Sequence, residues 1–207
     1  MKLYDYLRSS AAYRVRIALA LKGLRYEKIA IDLAAGAQLE EGYSSLNPQS
    51  LVPALEEDGQ IFFQSLAIIE YLEETHPEPP LLPGHPEDRA RVRALAQMIA
   101  ADVHPLTNLR VRKYLADQFG QDAAAVENWI RHWVEAGFEA IEAILAEDGL
   151  AGDFCHGDEP GLADLFLVPQ CVVSSRVKLD LTPYPTIQRI FANAMKLDAF
   201  AKTKPDQ

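Results

Sequence analysis

Five prolines, Pro77, Pro79, Pro80, Pro83 and Pro86, fall within ten consecutive positions. Proline fixes φ and brings no backbone N–H, so neither a helix interior nor a sheet interior tolerates such a run. The chain of 207 residues is thereby cut in two. Before the cut, short strands alternate with helices; after it, the apolar spacing is helical throughout. We expect a first domain over residues 1–77, a linker over 78–86 and an all-helical second domain over 87–207.

In the first part, residues 2–6 read as a strand and 11–22 as a helix with few polar positions, hence mostly buried. Gly23 closes that helix as a C′ residue. Residues 26–31 form a second strand, and strand–helix–strand implies a right-handed crossover and a parallel pair. Residues 54–57 and 61–63 flank Asp58-Gly59-Gln60 as a hairpin. A helix over 66–75 follows Gln64-Ser65, with Ser65 as its N-cap. Beyond the prolines, a helix over 87–115 is expected to bend near Pro105. Another over 122–145 carries Trp129, Ile130, Trp133, Val134, Phe138, Ile141, Ile144 and Leu145 on one face. Helices over 162–175 and 184–196 complete a bundle, and the tail over 202–207 is expected to fray.

The formal charge of −10 argues against a nucleic-acid partner, because neutralising phosphates needs a basic face. A local arginine cluster still suits an anionic substrate. The first residues read as a strand, and no apolar run approaches a membrane span, so a cytoplasmic protein with no membrane partner is expected. Cys155 and Cys171 are too far apart for a redox or zinc motif, and no metal site is read.

One stretch carries chemistry: Arg8-Ser9-Ser10-Ala11-Ala12-Tyr13-Arg14-Val15-Arg16-Ile17-Ala18-Leu19. Two hydroxyls stand at the mouth of a helix with arginines around them, a composition suited to an anion, because helix N-termini leave N–H groups unpaired. Taken alone, Ser9 or Ser10 is better read as a plain N-cap, Val52-Pro53 as an ordinary strand-entry proline, and His104 as a structural histidine.

In order and at their spacings, that stretch, Asn47-Pro48-Gln49 with Val52-Pro53, Gln64-Ser65-Leu66-Ala67-Ile68-Ile69-Glu70-Tyr71-Leu72, and Asp180-Leu181-Thr182-Pro183-Tyr184-Pro185 resemble the zeta class of the glutathione transferases. The resemblance covers almost the whole chain. It implies an α/β plus all-α fold: a thioredoxin-like N-terminal domain (βαβαββα) followed by a helical bundle domain. It also implies glutathione as cofactor and a homodimer. Ser9 and Ser10 become the catalytic residues, stabilising the glutathione thiolate with the N–H groups of Ala11 to Tyr13; Ser10, nearer the helix, is expected to dominate. Ser9, Ser10, Gln38, Gln49, Val52, Pro53, Gln64, Ser65, His104 and Asn108 would hold glutathione. In that set a cis Val52–Pro53 peptide faces the tripeptide backbone, and Ser65 takes the γ-glutamyl carboxylate. Arg8, Arg110 and Arg176 are the substrate-binding candidates, since a guanidinium grips a carboxylate bidentately. Arg89, Arg91, Arg93 and Arg112 read as solvated surface.

Two departures stand out. Gly161 occupies a capping position where the family has Ser or Thr, with Asp164 still able to reach back to its N–H. Ala11 stands where the zeta signature has cysteine, which removes the thiol nearest the site. The implied activity is glutathione-dependent cis–trans isomerisation of a small dicarboxylic enone, maleylacetoacetate to fumarylacetoacetate, in tyrosine and phenylalanine catabolism. Alternatives are maleylpyruvate isomerisation, conjugation or dehalogenation of α-halo acids by the same thiolate, and a non-catalytic binding module. Maleylpyruvate isomerases have a second arginine at the position of Leu109, beside Arg110, which favours maleylacetoacetate here. Retention of both the Ser9-Ser10 and Gln64-Ser65 pairs counts against a mere binding module.

Overall fold

The computed structural model describes residues 1–205, in two compact units: Met1–Leu81 joined by the chain from Leu197 onward, and Leu82–Lys196. In the first, β1 (Lys2–Asp5) leads through α1 (Ser10–Leu21) to β2 (Glu27–Ala30), which pairs parallel to β1. A 3-10 turn (Ala37–Leu39) and α2 (Glu41–Ser44) precede β3 (Ala54–Glu57), β4 (Gln60–Phe63) and α3 (Ser65–Thr75). The sheet order is β2-β1-β3-β4, with β3 antiparallel to both neighbours. This is the thioredoxin-like βαβαββα order. Asp58 (φ 48°) and Gly59 (φ 77°) form the hairpin turn, and two positive φ values match the right-handed twist of the flanking strands.

Helix α1 is buried from Ser10 to Leu19. A helix buried along that length has no face to give to water, and it packs against α3. Lys22, at its C-cap, sends Nζ to Glu73 Oε2 (2.8 Å) and to the carbonyls of His76 (2.7 Å) and Pro79 (2.9 Å). Glu73 also accepts the N–H of Leu81. The front of the expected linker is therefore fastened to α1 and α3, and the first unit reaches Leu81.

The second unit opens with α4 (Pro86–Gln97), whose proline sits at the first helical position, where its missing N–H is no loss. A π-helical stretch, Met98–Val103, continues into α5 (His104–Thr107). Then the helix stops. Asn108 is extended (φ −73°, ψ 167°), and its Oδ1 accepts the N–H of Val111 (3.2 Å) to start α6 (Leu109–Phe119). The single bent helix expected over 87–115 is thus broken by a new N-cap rather than by Pro105, which lies inside α5. In α7 (Ala123–Glu147), Val134, Phe138, Ile141 and Leu145 are buried at helical spacing. A Cβ on Gly137 would run into the Val103 side chain, so glycine lets α7 meet the π-helical stretch closely. Helix α8 (Leu162–Ser174) is the buried centre of this unit, and α9 (Pro185–Ala194) packs on it and on α7. Asp164 closes the start of α8 as expected: Oδ2 accepts the Gly161 N–H and Oδ1 that of Cys155, both at 2.9 Å.

Residues after 196 do not belong with the helical bundle where the sequence put them. Helix α10 (Asp198–Ala201) packs on α1, with Phe200 fully buried. The Tyr13 hydroxyl donates to the Phe200 carbonyl (2.7 Å), and Arg16 Nε donates to that of Thr203 (2.9 Å). Order persists to the buried Pro205 rather than fraying from 202; Asp206 and Gln207 lie outside the described residues. No helix among the described residues is long and apolar enough to cross a membrane.

Candidate active site

The turn between β1 and α1 presents an exposed Arg8, then Ser9 and Ser10. Ser9 is the N-cap (φ −75°, ψ 123°): its Oγ accepts the N–H of Ala12 (3.2 Å) and its carbonyl that of Tyr13 (3.0 Å). Ser10 is the first helical residue and 5% exposed. Two of the three backbone donors expected to serve a thiolate are therefore engaged by Ser9, and only that of Ala11 remains. The cap uses a lone pair of Ser9, so its hydroxyl hydrogen is not consumed. No acidic side chain lies in the first turn to offset the partial positive charge there.

The two arginines that follow in the motif turn inward, not toward a ligand. Arg16 is 3% exposed; Nη1 pairs with Asp5 Oδ1 (2.5 Å) and Nη2 donates to Leu7 O (3.1 Å), fixing the turn that carries Arg8. Arg14 is 2% exposed, and its Nη1 donates to Ser65 Oγ (3.1 Å). Burial pulls the Arg14 pKa down to about 9, which still leaves it charged at neutral pH. Burial raises the pKa of Tyr13, and its hydroxyl is engaged by Phe200.

Asn47, also buried, shapes the approach to β3: Nδ2 donates to Leu51 O (2.8 Å), Oδ1 accepts the N–H of Gln49 (3.1 Å), and Tyr43 Oη donates to the same Leu51 carbonyl (2.6 Å). The Val52–Pro53 peptide that follows is cis, as the resemblance implies, and both residues are buried. Gln49 Oε1 accepts from Gln64 Nε2 (2.7 Å), joining this loop to the start of α3. Gln64, at φ 70° and ψ 118°, holds the N-cap position expected of Ser65, and makes no side-chain cap. Ser65 is already helical, so its hydroxyl does not cap; it meets Arg14 instead. Helix α3 has no acid in its first turn. Gln38 lies on the 3-10 turn, and its buried Oε1 has no hydrogen-bond partner among the described residues.

In the second unit, His104 opens α5 and is half-buried, while the Asn108 side-chain oxygen caps α6. Arg110 is exposed in the first turn of α6. Arg176 is exposed in a 3-10 turn, Ser175–Val177, which Arg131 steadies by donating to Val177 O (2.8 Å). Arg91, read as surface, instead reaches Asp148 Oδ2 (2.5 Å) and Cys155 O (2.8 Å); Arg89, Arg93 and Arg112 are half-buried. Cys155 and Cys171 are free and buried, and burial pushes both thiols up in pKa, away from reactivity. Sequence reasoning missed Arg14, Arg16 and Asn47 as supports of the site. Their only signal was membership of the motifs, which does not say which way a side chain points.

Residues 1–74 match the glutathione S-transferase N-terminal domain family. Maleylacetoacetate isomerase of Pseudomonas aeruginosa is 45% identical over 208 residues, covering 99% of this chain and 96% of that protein. The holo structure of maleyl pyruvate isomerase, a bacterial zeta-class glutathione S-transferase, matches with a TM-score of 0.97 and 48% identity, over 99% of this chain and 97% of that one. The chain belongs to the zeta class of glutathione transferases. A further relative, maleylacetoacetate isomerase from Methylobacterium extorquens AM1 with bound malonate and GSH, matches at TM-score 0.96 and 43% identity, covering 99% and 96% of the two chains. In this zeta-class chain the start of α1 carries Ala11 and no thiol; hydroxyls and backbone N–H groups stand there instead.

Proposed function

We propose that this zeta-class chain is a glutathione-dependent isomerase converting maleylacetoacetate to fumarylacetoacetate. The observation that carries the reading is its full-length 45% identity to an isomerase of that name. We assign most of the glutathione contacts to the first unit and most of the substrate-binding arginines to the helical one.

The residues present suit the tripeptide. Ser65 and the first N–H groups of α3, uncapped and free of acids, suit its γ-glutamyl carboxylate. The joined Gln49 and Gln64 amides, the loop at Val52–Pro53 and the orphaned Gln38 oxygen offer amide chemistry to its backbone. His104 and Asn108 are assigned further contacts from the second unit. When bound, glutathione supplies a thiolate that adds to the cis double bond, frees it to rotate, and is expelled unchanged.

The chain's own groups do the rest. The Ala12 N–H holds one lone pair of Ser9, so the hydroxyl hydrogen is available to a thiolate; with the Ala11 N–H it lowers a thiol pKa from about 8.5 toward neutrality. This places Ser9 ahead of the more buried Ser10, the reverse of the order expected from the sequence. Arg8, exposed on the same turn, grips a substrate carboxylate and stabilises the negative charge that develops as the alkene is attacked. Arg176 is assigned the second carboxylate and Arg110 a supporting contact.

Maleylpyruvate is the second reading, favoured by the 48% identity to an isomerase of that substrate; conjugation of α-halo acids is a third use of the same thiolate. Absorbance of maleylacetoacetate and maleylpyruvate, each with and without glutathione, decides between them. Glutathione-dependent loss of the cis isomer of maleylacetoacetate, faster than that of maleylpyruvate, is expected; no turnover of either sinks the isomerase. We also propose a cytoplasmic homodimer, consistent with two reduced cysteines and with Phe63 exposed on the edge strand β4. Light scattering at a monomer mass would contradict the dimer.

A further inference from the structure

We propose that Arg14 is a positioning residue for the ligand carboxylate at α3: by donating to Ser65 Oγ, it aims the Ser65 hydroxyl hydrogen out of the fold and toward that carboxylate. The inference rests on the reading of α3 as the γ-glutamyl carboxylate site.

A serine hydroxyl has one hydrogen to donate and two lone pairs to accept with. Arg14 Nη1, which can only donate, occupies a lone pair at 3.1 Å, so the hydrogen must point elsewhere. In other helices of this protein a hydroxyl hydrogen is absorbed by the carbonyl four residues back: Thr75 bonds Tyr71 O, Thr107 bonds Val103 O and Ser174 bonds Gln170 O. Ser65 has no such option. It is the first residue of α3, and the residue four before it, Ile61, lies in β4. What remains in reach is the space where the uncapped N–H groups of α3 also point. A hydroxyl that receives from a cation is polarised and becomes a better donor in turn.

The charge of Arg14 contributes as well. It is 2% exposed, so its field is weakly screened by water, and it lies beneath a helix start with no acid in its first turn. Arg14 does not touch the ligand itself. A neutral side chain of similar length would fill the space between α1 and α3 but would neither orient Ser65 nor supply charge.

The test is glutathione affinity by calorimetry, set against a glutathione analogue in which the γ-glutamyl α-carboxylate is replaced by hydrogen. Ser65→Ala is expected to weaken glutathione about tenfold, a lost hydrogen bond to a charged group, and to leave the analogue within about twofold of the unaltered protein. Arg14→Met is expected to repeat that pattern, with Arg14→Lys recovering part of the loss for glutathione alone. Equal weakening of both ligands by Arg14→Met, or no weakening of either, overturns the proposal, because a merely structural stitch between α1 and α3 has no preference for one carboxylate. If Arg14→Met does not fold, Arg14→Gln, which keeps a donor and loses the charge, and Arg14→Lys carry the same comparison. If Ser65→Ala fails to separate the two ligands, the carboxylate site at α3 is itself wrong; if it separates them and the Arg14 variants do not, only the role of Arg14 falls.

Discussion

The helix starts of the two units are closed in different ways. In the helical unit the protein closes four of them with its own oxygens: Asn108 caps α6, Asp122 caps α7, Asp164 serves α8, and the Glu142 carboxylate accepts the N–H groups of Thr186 (2.8 Å) and Ile187 (2.9 Å) at α9. In the thioredoxin-like unit, α1 has a serine cap and no acid, and α3 has neither a side-chain cap nor an acid. A helix start wants an anion or an acceptor wherever it occurs. Glu142, reaching from α7 to the start of α9, shows in one molecule how a carboxylate sits on such a start. The difference teaches that withholding the protein's own carboxylate is what leaves the start of α3 open to one from a ligand.

Removing an internal acceptor should therefore harm stability, and altering the open starts should harm binding. The largest effect is expected from Asp164→Ala, which strands the buried Cys155 N–H and the half-buried Gly161 N–H and lowers unfolding free energy by about 3 kcal/mol in urea titrations. Glu142→Ala should lower it by about 2 kcal/mol and leave glutathione affinity unchanged. A loss of affinity there would break the division between closed and open starts. Ser9→Ala should cost about 1 kcal/mol as a lost cap and raise the pKa of the bound thiol, followed by thiolate absorbance, more than Ser10→Ala does. Equal titration curves would return the two serines to parity. Gln64→Gly should gain about 0.5 kcal/mol, relief at φ 70° exceeding the flexibility glycine adds to the unfolded chain, while glutathione binding weakens.

The smallest effect concerns an acid at a helix end instead of a start. Burial pushes the Asp148 carboxyl up, but the Arg91 guanidinium and the Leu150 N–H outweigh it and hold the pKa below the ordinary value. The unfolded chain then takes up the proton first as pH falls. The stability Asp148 contributes is complete above about pH 4 and is lost as pH drops through its lowered folded value. Arg91→Gln should be less stable at neutral pH, with the gap closing as pH falls below about 4 in acid-unfolding curves.

Much of this was legible in the residues because it is local. The order of strands, the Asp58-Gly59 turn and the capping box of Gly161 and Asp164 each depend on neighbours a few positions apart. The break at Asn108 was not, since asparagine inside a periodic run looks like a weak helix former until its Oδ1 is seen on Val111. The motif around Ser9 was recognised correctly while two of its arginines were given no role of their own. An arginine in a sequence announces charge, and only packing decides whether Arg14 and Arg16 meet solvent, ligand or their own fold. Ser65 was placed at the right helix in the wrong role, because the helix begins one residue earlier than a cap would allow.

The return of α10 to α1 has a consequence for how the protein is made. The thioredoxin-like unit takes in both early and late parts of the chain, from β1 to the carbonyls of Phe200 and Thr203 that Tyr13 and Arg16 hold. Synthesis runs from the N-terminus, so a ribosome that has finished the first eighty-odd residues has not yet made the unit's closing segment. Tyr13 and Arg16 keep unmet hydrogen-bonding groups until the whole helical unit has been translated. The thioredoxin-like unit begins first and is completed last.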